Sequence, residues 1–201
     1  MTRSLTLDDI ADLPTYERER EAFRDHVIAL KRRRRVAVGP LVTLLFENRD
    51  TIRFQIQEMA RVERLATDAA IESELDAYNP LIPEPGGLSA TLFIELTADE
   101  LLREWLPKLL GIESSVVIRV GGTDGVSIRC FPEAGHAAQL TRDDITSSVH
   151  YIQWTLKPDE IALFGTGPVE ISVDHPEYAH SVTLSEEQVA ELLSDLSDGT
   201  N

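Results

Sequence analysis

Three histidines stand in stretches where apolar and polar side chains alternate. In a strand every second side chain points to the same face. His150 is then in phase with Ile152, Trp154 and Leu156, His175 with Val169, Ile171 and Val173, and His180 with Val182 and Leu184. All three therefore point to apolar faces. Pro176-Glu-Tyr-Ala179 reads as a four-residue hairpin loop that would set His175 opposite His180. Directly opposed residues have Cβ atoms about 4.5–5.5 Å apart, close enough for two imidazoles to share a metal or a proton. With His150 on the adjoining strand, three imidazoles would suit zinc or iron, and Asp174 and Glu177 could add carboxylate support. The competing reading is three half-buried rings hydrogen-bonded to backbone or to Tyr151 and Tyr178. The spacing matches no established metal motif.

A second candidate is cationic. Arg53, Gln57, Arg61 and Arg64 recur at steps of four, four and three, one polar stripe if the segment is helical. Guanidinium groups in a row suit carboxylate or phosphate through paired hydrogen bonds. They can contact a ligand or partner, or clamp acidic residues of the same chain, which is the favoured reading for Arg61. Cys130 with His136 six residues on could make a thiolate pair, although a lone buried Cys more often serves as a small apolar residue. Gly121-Gly-Thr-Asp-Gly125 lies between two strands and opens no helix, so a hairpin turn fits it better than a phosphate loop. No nucleophile elbow, Walker loop or dinucleotide fingerprint is present.

The elements that must carry these residues follow from periodicity. Thr15 to about Arg35 reads as a helix, with Phe23, Val27 and Leu30 as its apolar stripe. Acids crowd its start and Lys31 to Arg35 its end, matching the helix dipole. Val36 to Phe46 reads as a strand interrupted at Gly39-Pro40. Asp50 is placed to cap a helix over Thr51 to Leu65, and a second helix spans about Asp68 to Tyr78. Asn79 to Gly87 holds three prolines and two glycines and reads as a boundary or stiff connector. Beyond it Ala90–Leu96, Ser115–Val120, Val126–Phe131, Val149–Leu156, Val169–Val173 and Ser181–Leu184 read as strands. Helices follow Thr97 and Ser185, the latter in capping-box style. The expectation is an α+β fold. A helical N-terminal part with one interrupted strand (1–88) packs against a mainly antiparallel sheet with two flanking helices (89–201), the two forming one compact unit.

Charge narrows the partners. The chain has 201 residues, 42% hydrophobic and 27% charged, and a net charge of −16, which opposes general nucleic-acid binding. Residues 1–65 hold 13 of the 19 Lys and Arg against 11 of the 35 acids; the remainder carries the whole acidic excess. The two parts are expected to attract and pack. No apolar run approaches the about 20 residues of a membrane-spanning helix, so no membrane is expected. The start does not read as a signal peptide, and the single Cys130 forms no internal disulfide, which together point to the cytoplasm. The oligomeric state is open, a homo-oligomer included.

Five phrases carry a resemblance: Leu5-Thr-Leu-Asp-Asp-Ile10, Lys31-Arg-Arg-Arg-Arg-Val-Ala-Val-Gly-Pro40, Phe46-Glu-Asn-Arg-Asp-Thr51, Arg53-Phe-Gln-Ile-Gln-Glu-Met59 and Tyr78-Asn-Pro-Leu-Ile-Pro83. Through them the chain resembles an uncharacterised bacterial family known only as a domain of unknown function. The resemblance runs through nearly the whole chain and transfers no catalytic residues. It implies genes neighbouring a rubrerythrin and an iron–sulfur oxidoreductase of the heterodisulfide-reductase type. The leading expectation is therefore an accessory or binding protein of a redox or peroxide-stress system. The alternatives are a metal-dependent enzyme at His150, His175 and His180, and a structural assembly protein.

Overall fold

The computed structural model describes residues 4–122, 125–136 and 144–197. The chain opens with a 3-10 turn, Leu7–Asp9, and then α1, Leu13–Arg34. Asp12 caps α1 by accepting from the Thr15 N–H at 2.7 Å, and the last turn holds Lys31 to Arg34. Two strands follow, β1 (Arg35–Val38) and β2 (Val42–Glu47), then α2 (Arg49–Glu63) and α3 (Asp68–Tyr78). Next come β3 (Gly87–Ile94), α4 (Asp99–Lys108), β4 (Val116–Val120), β5 (Val126–Arg129), β6 (Phe131–Pro132) and β7 (Val149–Thr155). The chain then forms α5 (Pro158–Thr166), β8 (Val169–His175), β9 (Tyr178–Thr183) and α6 (Glu186–Ser197).

The strands make two antiparallel sheets, a five-stranded one ordered β1-β2-β3-β7-β6 and a four-stranded one ordered β5-β4-β8-β9. Their alternating apolar residues meet in one core. Leu44, Phe46, Leu92 and Trp154 of the first sheet and Ile118, Val120, Ile171 and Val173 of the second belong to it, joined by Phe164, Leu192 and Leu196 from α5 and α6. Every residue of β2 is buried, which a one-sided sheet would not produce. The other face of the five-stranded sheet is covered in turn. Leu5, Ile52, Ile56, Leu75, Leu81 and Ile82 form a second cluster there, with Tyr151 packed against it. The fold is α+β, with a helical N-terminal part.

Some local expectations change. The interruption at Gly39-Pro40 is a hairpin turn, so Val36 to Phe46 is two paired strands, Val38 opposite Val42. Gly39 has φ 77° there, the left-handed region that glycine enters without strain. Asn48, not Asp50, caps α2: its side chain accepts from the Thr51 N–H, and the Thr51 hydroxyl accepts from the Asn48 N–H. The boundary near 88 falls at the start of a central strand. Because β3 pairs with β2 on one side and β7 on the other, the two parts share a sheet. They are also pinned by Arg34, only 1% exposed, which meets Asp195 through both terminal nitrogens and Glu191 through Nε.

Candidate functional site

The three histidines occupy different environments. His150 on β7 is buried on the core side, its Nε2 2.8 Å from the Thr146 hydroxyl and 2.9 Å from the Ser147 carbonyl. Burial pushes its pKa down and favours the neutral ring. His175, in the other sheet, spends both nitrogens on backbone: Nε2 donates to the Leu110 carbonyl at 2.9 Å and Nδ1 accepts from the Glu177 N–H at 3.2 Å. The β8–β9 turn is tighter than the four-residue loop expected. His175 therefore faces Tyr178, while His180 faces Val173 and lies exposed beside the Tyr178 ring. The expected His175–His180 opposition is absent. Among the described residues no group of three or more His, Cys, Asp or Glu is arranged to hold a metal, zinc and iron included.

Cys130 donates to the Glu113 carbonyl at 3.2 Å, and burial pushes its thiol up to about 11. His136 is not its partner; that ring bonds to Glu133 and stands edge-on to Tyr151. The cationic stripe does lie along α2, but among the described residues none of its side chains bonds to the acidic part of the chain. Arg53 donates to the Asp9 carbonyl and covers the Phe23 ring, and buried Gln57 holds both backbone groups of Ala11. Arg61 pairs with Glu58 at 3.3 Å and with Glu17 at 3.9 Å, so its clamp closes on α1 and α2 instead. Arg64 ends the helix. The stripe thus fastens the N-terminal segment, and the acidic part is gripped by Arg33 and Arg34.

A site that the spacing did not suggest lies between the outer face of the five-stranded sheet and the helices over it. There a cavity of about 150 Å³ is lined by Glu47, Thr91, Phe93 and Tyr151 from the strands and by Lys31, Thr51, Gln55 and Tyr78 from the covering layer. Strand alternation explains the first set: Leu45, Thr91 and Tyr151 are register partners across β2, β3 and β7, and Glu47 is two residues beyond Leu45. Glu47 is 7% exposed, and the Thr91 hydroxyl donates to its Oε1 at 2.6 Å. Among the described residues no ion pair engages this carboxylate. The Lys31 ammonium instead sits 5.7 Å from the Phe54 ring centre. Tyr151 has its pKa pushed up, first by burial, then by the nearby Tyr78 and Glu47. A sheltered acceptor between aromatic walls is equipped to bind a small donor or cation.

The signal for this site was one acid, Glu47, ending the apolar run Val42-Thr-Leu-Leu-Phe46 in phase with Thr43 and Leu45. Four of the five phrases quoted above contribute to its lining, through Lys31, Glu47, Gln55 and Tyr78.

No curated protein matches the chain. Among solved structures it is similar to a novel protein of unknown function from Burkholderia pseudomallei K96243, with 36% identity, a TM-score of 0.87, and 96% of this chain and 99% of that one covered. The family model for proteins of unknown function called DUF3501 matches residues 4–196, and the chain belongs to that family.

Proposed function

We propose that the protein is a binding or accessory protein whose ligand enters the cavity at Glu47. The observation that carries this reading is the Glu47 carboxylate itself, buried, without a cationic partner among the described residues and lining open space. Thr91 supplies one hydrogen bond to this sheltered side chain, and a ligand that brings an ammonium or several N–H donors adds to it. The volume admits roughly five water-sized units at about 30 Å³ each, which selects a small molecule such as a short amine or amino acid.

The setting, a bacterial redox or peroxide-stress system with a rubrerythrin or iron–sulfur oxidoreductase as partner, is proposed from the family resemblance alone. Two experiments separate the claims. Calorimetry with ethanolamine, glycine and related small amines should find binding that Glu47→Gln abolishes; an equal response from that variant ends the pocket reading. Co-expression and affinity capture with a rubrerythrin from the same organism should recover a complex, and failure removes the redox setting while leaving the pocket intact.

A further inference from the structure

Arg64 is the one non-glycine residue with positive φ among the described residues, at φ 55° and ψ 44°. It closes α2 in the left-handed conformation that helices reserve for glycine at this position, with the Leu65 N–H turned back to the Ala60 carbonyl at 2.9 Å. Any side chain but glycine is strained there. The residue carries an exposed guanidinium that no hydrogen bond or ion pair engages among the described residues, so it is free to meet a ligand. One turn back, Arg61 keeps its Nε buried and without a partner while its terminal nitrogens meet Glu58 and Glu17. Both arginines line the same open cavity, about 340 Å³, bordered by the N-terminal segment, the end of α2 and the start of α3.

Its remaining walls are mainly apolar, with Ile10, Leu65 and Ile71 facing the space. Two carboxylates also border it. Asp12 is turned onto the Thr15 N–H as the cap of α1, and Asp68 sits in the first turn of α3, where the helix dipole favours an acid. Neither engages the two guanidinium groups. What the cavity offers is the exposed, unpaired Arg64 guanidinium beside Arg61 at one side and hydrocarbon at the other. Inorganic anions would leave the apolar wall idle, and a neutral hydrocarbon would make no use of the guanidinium.

We propose that this cavity binds a medium-chain monocarboxylate, its head between Arg61 and Arg64 and its chain against Ile10, Leu65 and Ile71. The volume holds roughly eleven water-sized units at about 30 Å³ each, which matches a carboxylate carrying about seven further carbons. Each added methylene that leaves water then strengthens binding.

The test is calorimetry on delipidated protein with acetate, butyrate, octanoate and the uncharged octanol at constant ionic strength. Octanoate should bind at least ten times more tightly than butyrate, and acetate and octanol should bind far more weakly than octanoate. Arg64→Gly should weaken octanoate at least tenfold while the melting temperature holds or rises, because glycine relaxes the left-handed cap. Arg61→Gln should weaken it too, and circular dichroism verifies that this variant is folded. The proposal is overturned if octanoate does not bind, if affinity ignores chain length, if octanol matches octanoate, or if folded Arg64→Gly binds as the parent does.

Discussion

Glu58 gathers more hydrogen bonds than any motif search would assign to it. The Tyr16 hydroxyl donates to it at 2.7 Å, Arg20 spans both oxygens at 2.7 and 2.9 Å, and Arg61 adds a longer bond. The Arg20 guanidinium is the main reason its carboxyl is held down to about 2, against an ordinary 4.5. A depressed carboxyl stabilises the fold fully above its unfolded pKa and loses that contribution as pH falls toward the folded one. Stability should therefore be flat in this respect above about pH 5 and decline toward pH 2, by of order 2–3 kcal/mol from this group. Denaturant titrations across pH 2–6 should show that decline in the parent and a shallower one in Glu58→Gln; parallel curves would remove Glu58 from the acid transition. Cys130 gives a second residue-scale expectation. With its thiol pushed up to about 11 by burial, it should resist alkylation at pH 8 until the protein is unfolded. Labelling of the native protein within minutes would contradict that. The arginine stripe on α2 and the Arg61–Glu58 pair three residues apart were legible from spacing, but the stripe's partners on other elements were not. Spacing fixes which side chains share a helix face, whereas the N-terminal segment and α1 reach that face only through tertiary packing.

At the scale of elements, Tyr178 ties the hairpin of one sheet to the edge of the other. Its hydroxyl donates to the Val38 carbonyl at 2.7 Å and accepts from the N–H groups of Leu41 and Val42 at 2.9 and 3.2 Å. Gly39 leaves room for this arrangement, since a Cβ there would lie 2.5 Å from both the Tyr178 oxygen and a His180 ring carbon. Tyr178→Phe should cost about 2 kcal/mol by removing the shared hydroxyl from buried backbone groups. Gly39→Ala should cost at least about that, combining a clash with a strained φ. Thermal melts would check both, and a Tyr178→Phe melting temperature equal to the parent's would show the pin to be unnecessary. The same region shows where sequence reading stops. Alternation marked both strands, but whether Gly39-Pro40 bends one strand or reverses it depends on what pairs with Val36 and Val38. Likewise the β8–β9 turn decided by two residues whether His175 met His180. The capping box at Ser185 and Gln188 was legible because it is local. Pro158–Thr166, α5, carries little helical signal: it is short, and its Gly165 weakens the pattern. Glu47 has little local signal for the opposite reason, since its setting comes from burial beneath covering elements rather than from its own segment.

Across the whole molecule the net charge of −16 must be contained while the weakly basic start packs onto the acidic remainder. Exposed pairs such as Arg35–Glu95, with both side chains about half exposed, contribute little to that. The buried junction at Arg34 is different, because α1 ends there against α6, and its Nη1 also lies 3.5 Å from the Glu47 carbonyl. Assembly of the molecule and placement of the candidate carboxylate thus meet at one side chain. Arg34→Met would leave Asp195 and Glu191 without this guanidinium, and removing one partner of a buried pair costs about 3–5 kcal/mol. Arg35→Met should cost under about 1 kcal/mol. Adding Asp195→Leu and Glu191→Gln to Arg34→Met should restore much of the loss, because apolar groups of similar volume need no counter-charge. Salt gives an independent check. Screening relieves the self-repulsion of an acidic molecule but reaches a buried pair poorly, so the parent should gain stability between low and physiological salt. The Arg34→Met deficit should persist at high salt, while that of Arg35→Met should shrink toward zero. If the Arg34→Met deficit also vanished with salt, the junction would behave as a surface contact, and the joining of the two parts would rest on the shared sheet alone.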